Sequence, residues 1–281
     1  MCGRETIDLT IGCSFGCIYC PFAERAARRH GVTHSTNADT SFIATVSVPS
    51  SVYLSAASDA FAPQAVTQTH ALLSRWLPRG TIVGIVTKGV IPDHTMDLLA
   101  DYRHQVEGVS VGVSSLDDVR NRVVEPGCPP ARARLASLAR LSERRLPVVL
   151  RMDPIFPGLD DGIDAIAELV GAAERSGAGG VVAGYVFAWG RYLRRLRRVP
   201  LLAESCRQLT ERTPMAGGMG WSVPLQRKIQ LYTRVAELAR QCGLYFQTCG
   251  CKDLRLREAT DLFATRCMEN PFFVQPLPML G

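Results

Sequence analysis

The stretch Glu5-Thr-Ile-Asp-Leu-Thr-Ile-Gly-Cys-Ser-Phe-Gly-Cys-Ile-Tyr-Cys20 runs from a short β-forming segment into three cysteines, Cys13, Cys17 and Cys20. Three residues separate the first pair and two the second. A loop of that spacing can turn three thiolates inward onto one cubane iron–sulfur cluster, for which thiolates are the normal protein ligands. The fourth iron then keeps an open position able to bind a substrate or cofactor. The other readings are a zinc site and a set of reduced structural cysteines. Structural zinc takes four ligands, and the nearest further candidates, His30 and His34, are distant in sequence. The cluster is therefore the favoured reading.

Beyond this loop the chain alternates between two kinds of pattern. Apolar, β-branched runs recur at 51–55, 82–87, 109–113, 147–151 and 180–187. With the N-terminal run they make six candidate strands. Near-continuous apolar runs suit parallel strands buried on both faces. Helical patterns lie between them at 63–76, 93–104, 130–145 and 160–175. In the last, Ile163, Ile166, Leu169 and Val170 form a core-facing stripe. Such alternation predicts a parallel α/β fold, and six units predict a partial (β/α)6 barrel. Active sites of barrels lie at the C-terminal ends of the strands. We expect the barrel to occupy residues 1–198 and a C-terminal, cysteine-containing extension to occupy 199–281.

Composition fits an enzyme with a proper core: 281 residues, 47% of them hydrophobic. No apolar run approaches the ~20 residues of a membrane span. The start, Met-Cys-Gly-Arg, has no apolar signal region, so a cytoplasmic location is expected. Ten cysteines in such a chain point to reduced thiols and metal ligation rather than disulfides. The net charge of +6 suits an anionic substrate. Lysines are confined to Lys88, Lys228 and Lys252.

The cysteine loop resembles the signature of the radical S-adenosylmethionine (SAM) superfamily. In that family the open iron chelates SAM, and an electron from the cluster cleaves it to a 5′-deoxyadenosyl radical. Later segments are similar to the spore photoproduct lyase and "DNA repair photolyase" branch. They are Ser58-Asp-Ala-Phe-Ala-Pro63, Thr87-Lys88, Ser114-Ser115 followed by Glu125-Pro-Gly127, and Asp153-Pro-Ile-Phe-Pro-Gly158. The resemblance implies an incomplete barrel, a [4Fe–4S] cluster, SAM and an electron donor such as a flavodoxin or ferredoxin. It puts Tyr19 beside the cluster and the adenine. It puts Ser58 and Asp59 at the methionyl end of SAM, and Lys88 at the methionyl carboxylate as a point charge. Arg151 could do similar work. Asp59 as a helix cap and Arg151 as the partner of a surface acid are the plainer alternatives. The chain also departs from the lyase pattern. Ala56 and Pro21 stand where the lyases have a hydrogen-donating cysteine and a second tyrosine. Cys128, in Glu-Pro-Gly-Cys, is the candidate replacement donor.

Past the sixth strand, residues 190–199 carry five arginines in eight positions. They could meet phosphates or form a solvated helix face. Residues 213–224 read as a loop, and 224–242 as an amphipathic helix ended by Gly243. Cys249 and Cys251 flank Gly250, and Cys267 follows after fifteen residues. Three thiolates again suggest an iron–sulfur cluster, here an auxiliary one, with Cys242 as a candidate fourth ligand; a set of reduced core cysteines and a zinc site using Cys242 are the alternatives. Cys2 and Cys206 have no evident role. The favoured function is hydrogen abstraction from a small anionic metabolite or nucleotide. A nucleic-acid repair or modification enzyme is the alternative, and a non-catalytic iron–sulfur protein a distant third.

Overall fold

The computed structural model describes residues 6–10, 12–20, 22, 47–54, 57–215, 218–259, 263 and 265. They divide into two compact units, one of residues 3–112 with 117–148, the other of 113–116 with 149–281.

In the first unit β1 (Thr6–Ile7), β2 (Ser51–Leu54), β3 (Ile82–Thr87) and β4 (Val106–Gly112) pair side by side in chain order, all parallel. The alternation of patterns is realised as α1 (Val66–Trp76) between β2 and β3 and α2 (Asp93–Asp101) between β3 and β4. Two helices, α3 (Asp118–Val124) and α4 (Ala131–Glu143), follow β4. Each helix turns one stripe inward: Leu72, Leu73 and Trp76 from α1, Met96 and Leu99 from α2, Leu138 and Leu141 from α4. Val52, Leu54, Val83, Ile85, Val109 and Val111 of the strands are buried as well. Each such side chain contributes roughly 1.5–3 kcal/mol on burial. The start of α3 is set by Asp117, whose carboxylate accepts from the amides of Val119 and Arg120 at 2.7 and 3.1 Å, the usual work of an N-cap.

In the second unit β5 (Val148–Ile155), β6 (Gly180–Tyr185) and β9 (Tyr245–Thr248) are parallel neighbours. They are accompanied by α5 (Ile163–Arg175), α6 (Gly190–Leu196), α7 (Pro200–Arg207), α8 (Leu225–Gln241) and the short α9 (Leu256–Ala259). A Cβ on Gly180 would come within 2.6 Å of the Tyr245 carbonyl oxygen, so the close approach of β6 to β9 needs glycine there.

The α/β class and the parallel strands are as expected, with differences at particular elements. Among the described residues the first strand spans Thr6–Ile7; beyond it Gly12 adopts φ 89°, and the Thr10 hydroxyl donates to the Gly12 carbonyl at 2.8 Å. The fifth strand runs on to Ile155, through Pro154, so Arg151 lies inside it rather than at its end. The loop expected at 213–224 is a hairpin of β7 (Glu211–Met215) and β8 (Gly218–Ser222). Its glycines and proline suggested irregular chain. The alternate residues Thr213, Met215, Gly220 and Ser222 are buried, and that period of two decides for strand. Gly218, the first residue of β8, adopts φ 113°. A seventh parallel strand, β9, comes from the stretch expected to form the extension. Among the described residues no helix is long and apolar enough to cross a membrane.

Candidate cluster and cofactor site

The three N-terminal cysteines share one turned loop. Gly16 adopts φ 58° and its amide donates to the Cys13 carbonyl at 3.3 Å; the Cys20 amide donates to that of Cys17 at 3.0 Å. Ahead of the loop, Asp8 Oδ1 accepts from the amides of Ala57 and Ser58, each at 2.8 Å, and from the Ser58 hydroxyl at 3.0 Å. This ties the end of β1 to the loop after β2. Behind it, the Glu125-Pro-Gly-Cys128 segment is fastened by main-chain bonds. The Ile18 amide donates to Val124 at 3.0 Å, the Gly127 amide to Phe15 at 2.9 Å and the Cys128 amide to Glu125 at 3.0 Å. A Cβ on Gly127 would lie 2.5 Å from the Ser14 carbonyl oxygen, so only glycine permits this fit. The approach leaves Cys128 Sγ 3.6 Å from Cys17 Sγ.

A buried charge cluster lies against the loop. The Tyr19 hydroxyl donates to Glu125 Oε1 at 2.5 Å. Arg134 Nη1 bonds Glu125 Oε2 at 2.7 Å, and Lys88 Nζ is 3.7 Å from Oε1. Lys88 Nζ also stands 5.7 Å from the centre of the Tyr19 ring, within cation–π range. Its side chain crosses Gly112, where a Cβ would lie 2.8 Å from Nζ. Burial pushes the Glu125 carboxyl up, but Lys88 and Arg134, with the Tyr19 hydrogen bond, together outweigh it and hold the group at about 2. Burial and the Glu125 charge raise the Tyr19 phenol well above its ordinary value. Burial likewise pushes the Cys13 thiol up to about 12. The neighbouring Cys128 thiol lowers Cys17, with Lys88 assisting against burial, while Cys128 itself is raised by Cys17 and by burial.

Asp59 is buried among its own chain's donors. Oδ1 accepts from the Thr87 hydroxyl at 2.6 Å and the Phe61 amide at 2.9 Å, and Oδ2 from the Lys88 amide at 2.7 Å. Burial raises its carboxyl despite these bonds. The carboxylate thus pins the end of β3, where Lys88 begins.

In the second unit Arg151 Nη2 bonds Asp153 Oδ2 at 2.7 Å, and Lys252 pairs with Asp153 Oδ1. Lys252 Nζ lies 5.4 Å from the centre of the Phe187 ring. Cys249 is buried at the end of β9 and Cys251 is half-buried two residues on. The Gly250 amide between them donates to the Thr265 carbonyl at 2.7 Å, so the chain returns to this turn after α9. Arg257 Nη2 is 3.8 Å from Cys251 Sγ. A small polar cavity beside the turn is lined by Tyr232, Thr248, Cys249, Lys252 and Asp253 among others. Cys267 lies outside the described residues.

Of the residues singled out from sequence, Cys13, Cys17, Cys20, Tyr19, Ser58, Asp59, Lys88 and Cys128 fall in one unit, and Arg151, Cys249 and Cys251 in the other. Sequence reasoning missed Asp8, Glu125 and Arg134. Glu125 was legible as part of Glu-Pro-Gly; Arg134, one of many arginines, carried no signal. Among the described residues no three His, Cys, Asp or Glu side chains close on one point as a preformed metal cage. The donor set nonetheless suits a cubane: three thiols within eight residues on a glycine-turned loop, beside a cation.

Comparison with known proteins gives the family. The family model described as Radical SAM superfamily matches residues 7–170. An uncharacterised protein of Acidianus two-tailed virus is 33% identical over 106 residues, which is 38% of this chain and 35% of the viral one. An uncharacterised protein of Mycobacterium tuberculosis is 27% identical over 244 residues, 73% of this chain and 71% of its own length. The chain thus spans about a third of the viral relative and under three quarters of the mycobacterial one. Among solved structures, spore photoproduct lyase complexed with dinucleoside spore photoproduct superposes with a TM-score of 0.62 at 17% identity, covering 85% of this chain and 74% of that one. Streptococcus suis SuiB bound to SAM gives 0.59 at 13% identity, covering 88% and 51%. At these identities the likeness speaks to the fold, the partial barrel. A family model that spans more than half of the chain, beginning at the strand before the cysteine loop, decides the assignment: this protein belongs to the radical SAM superfamily.

Proposed function

We propose that the protein reductively cleaves SAM at a [4Fe–4S] cluster held by Cys13, Cys17 and Cys20, and abstracts hydrogen from a small anionic substrate. The observation that carries this reading is the three-cysteine loop set against Tyr19, Lys88 and Glu125 in one unit. When bound, the cluster and SAM supply the 5′-deoxyadenosyl radical. The chain's own residues do the rest by position. Lys88 offers an ammonium to the methionyl carboxylate. Asp59 acts through Lys88, holding its main-chain amide, and Ser58 is held ready by Asp8. Glu125 fixes the Tyr19 hydroxyl, so that the ring presents one face beside the cluster loop. Both side chains bury their polar ends, which keeps water from competing for them.

For the substrate, Arg151 and Lys252 share the single carboxylate Asp153. Two cations placed together suit an anionic substrate. The turn of Cys249 and Cys251, with Thr265 returned to Gly250, supports an auxiliary cluster completed by Cys267. A second reading, action on nucleic acid, is favoured by the exposed Arg194, Arg197 and Arg198 in and just after α6. Phosphate contacts of that kind would make duplex binding fall steeply with salt.

Anaerobic reconstitution followed by assay of 5′-deoxyadenosine tests the main reading. Alanine at Cys13, Cys17 and Cys20 together should abolish SAM cleavage. Lys88→Met should keep the iron and weaken SAM binding roughly ten- to hundredfold, the size of a lost charge-assisted contact. Cleavage persisting in the triple cysteine variant would overturn the assignment of the cluster loop.

A further inference from the structure

The contact between Cys128 and the cluster loop is built rather than incidental. Main-chain bonds fix both partners: Ile18, next to Cys17, donates to Val124, and Gly127, next to Cys128, donates to Phe15. The absence of a Cβ at Gly127 lets the two segments close to this distance. The two sulfurs then stand 3.6 Å apart. A thiol is a weak donor, but a thiolate bound to iron is an anionic acceptor. Hydrogen bonds to the sulfurs of a cluster favour its more electron-rich, reduced state and so shift its potential.

We propose that Cys128 is a positioning residue for the cluster, its thiol donating an S–H···S hydrogen bond to the Cys17 ligand and raising the cluster's reduction potential. The proposal rests on the reading of Cys13, Cys17 and Cys20 as cluster ligands. It gives Cys128 work other than hydrogen donation to a substrate radical, because the sulfur is directed at a ligand. It also gives the Glu-Pro-Gly-Cys segment one purpose: Glu125 holds Tyr19, the glycine permits docking, and the cysteine tunes the metal.

The test is a redox titration, followed by electron paramagnetic resonance, of anaerobically reconstituted wild-type protein, Cys128→Ala and Cys128→Ser, with iron and sulfide counted in each. Cys128→Ala should keep its iron and become harder to reduce. At a fixed potential its reduced-to-oxidised ratio should fall about two- to fivefold, the size of one weak hydrogen bond. Cys128→Ser, which keeps a donor, should hold the wild-type midpoint or exceed it. An unchanged midpoint in Cys128→Ala overturns the proposal. So does an equal shift in both variants, which would mark a packing effect, and so does loss of iron from Cys128→Ala, which would make Cys128 a ligand. Failure of the wild-type protein to take up any cubane would overturn the functional reading and this proposal together. A cubane that forms, depends on Cys13, Cys17 and Cys20, and ignores Cys128 would sink this proposal alone.

Discussion

Glu125 shows how single residues set this site. Its carboxylate is fully buried, yet it is held at about 2, against an ordinary 4.5, by Lys88 and Arg134. A group whose folded value is depressed stabilises the fold above the unfolded value, and that contribution is lost as pH falls through the folded one. The stability that Glu125 lends should therefore be complete above about pH 4.5 and disappear towards pH 2. Glu125→Gln leaves Arg134 buried without its counter-charge. Removing one partner of a buried pair costs about 3–5 kcal/mol. Urea denaturation of the iron-free chain at several pH values should show that deficit at neutral pH and show it shrinking between about pH 4.5 and 2. A deficit independent of pH would mean that packing, not charge, is what Glu125 supplies.

At the scale of elements, the decisive event is the docking of the segment after α3 onto the cysteine loop. α3 ends at Val124, whose carbonyl accepts from Ile18, and three residues later Gly127 bonds to Phe15. The Asp117 cap therefore acts at a distance, by fixing where the helix starts and so where its end meets the loop. Gly127→Ala would drive a methyl to within 2.5 Å of the Ser14 carbonyl oxygen and 2.9 Å of Phe15 Cα. Backbone cannot yield as a flexible side chain can. We expect Gly127→Ala to lower stability by about 1–3 kcal/mol, as overpacking does, and to cut iron uptake while circular dichroism keeps its wild-type helix content. Full iron uptake by this variant would show that the two segments need not touch for the cluster to form.

At the scale of the whole molecule, iron stoichiometry separates one cluster from two. If Cys249, Cys251 and Cys267 hold an auxiliary cubane, iron and sulfide should each approach about eight per chain, two cubanes. Replacing all three with alanine should remove about half of each and leave SAM cleavage intact. Protein that never exceeds one cubane would leave Cys249 and Cys251 as thiols at the end of β9.

The alternation of apolar runs and helical stripes was enough to read a parallel α/β fold, and the spacing of Cys13, Cys17 and Cys20, with the later segments that resemble the radical SAM superfamily, was enough to read the family. These are local signals: periodicity follows from the geometry of one element, and three cysteines within eight residues need no long-range contact to be recognised. Lys88 was singled out through the resemblance, by its place in the Thr87-Lys88 strand end. The partners of these residues were decided by tertiary structure. Asp8 reaches Ser58 across 50 positions, Tyr19 meets Glu125 across 106 and Cys17 meets Cys128 across 111. No period or spacing encodes such separations. Arg134 looks like any arginine of an amphipathic helix until the chain closes around it and excludes water. A charge has an identity in the sequence, but its energy depends on its surroundings, and those exist only once the strands and helices have packed.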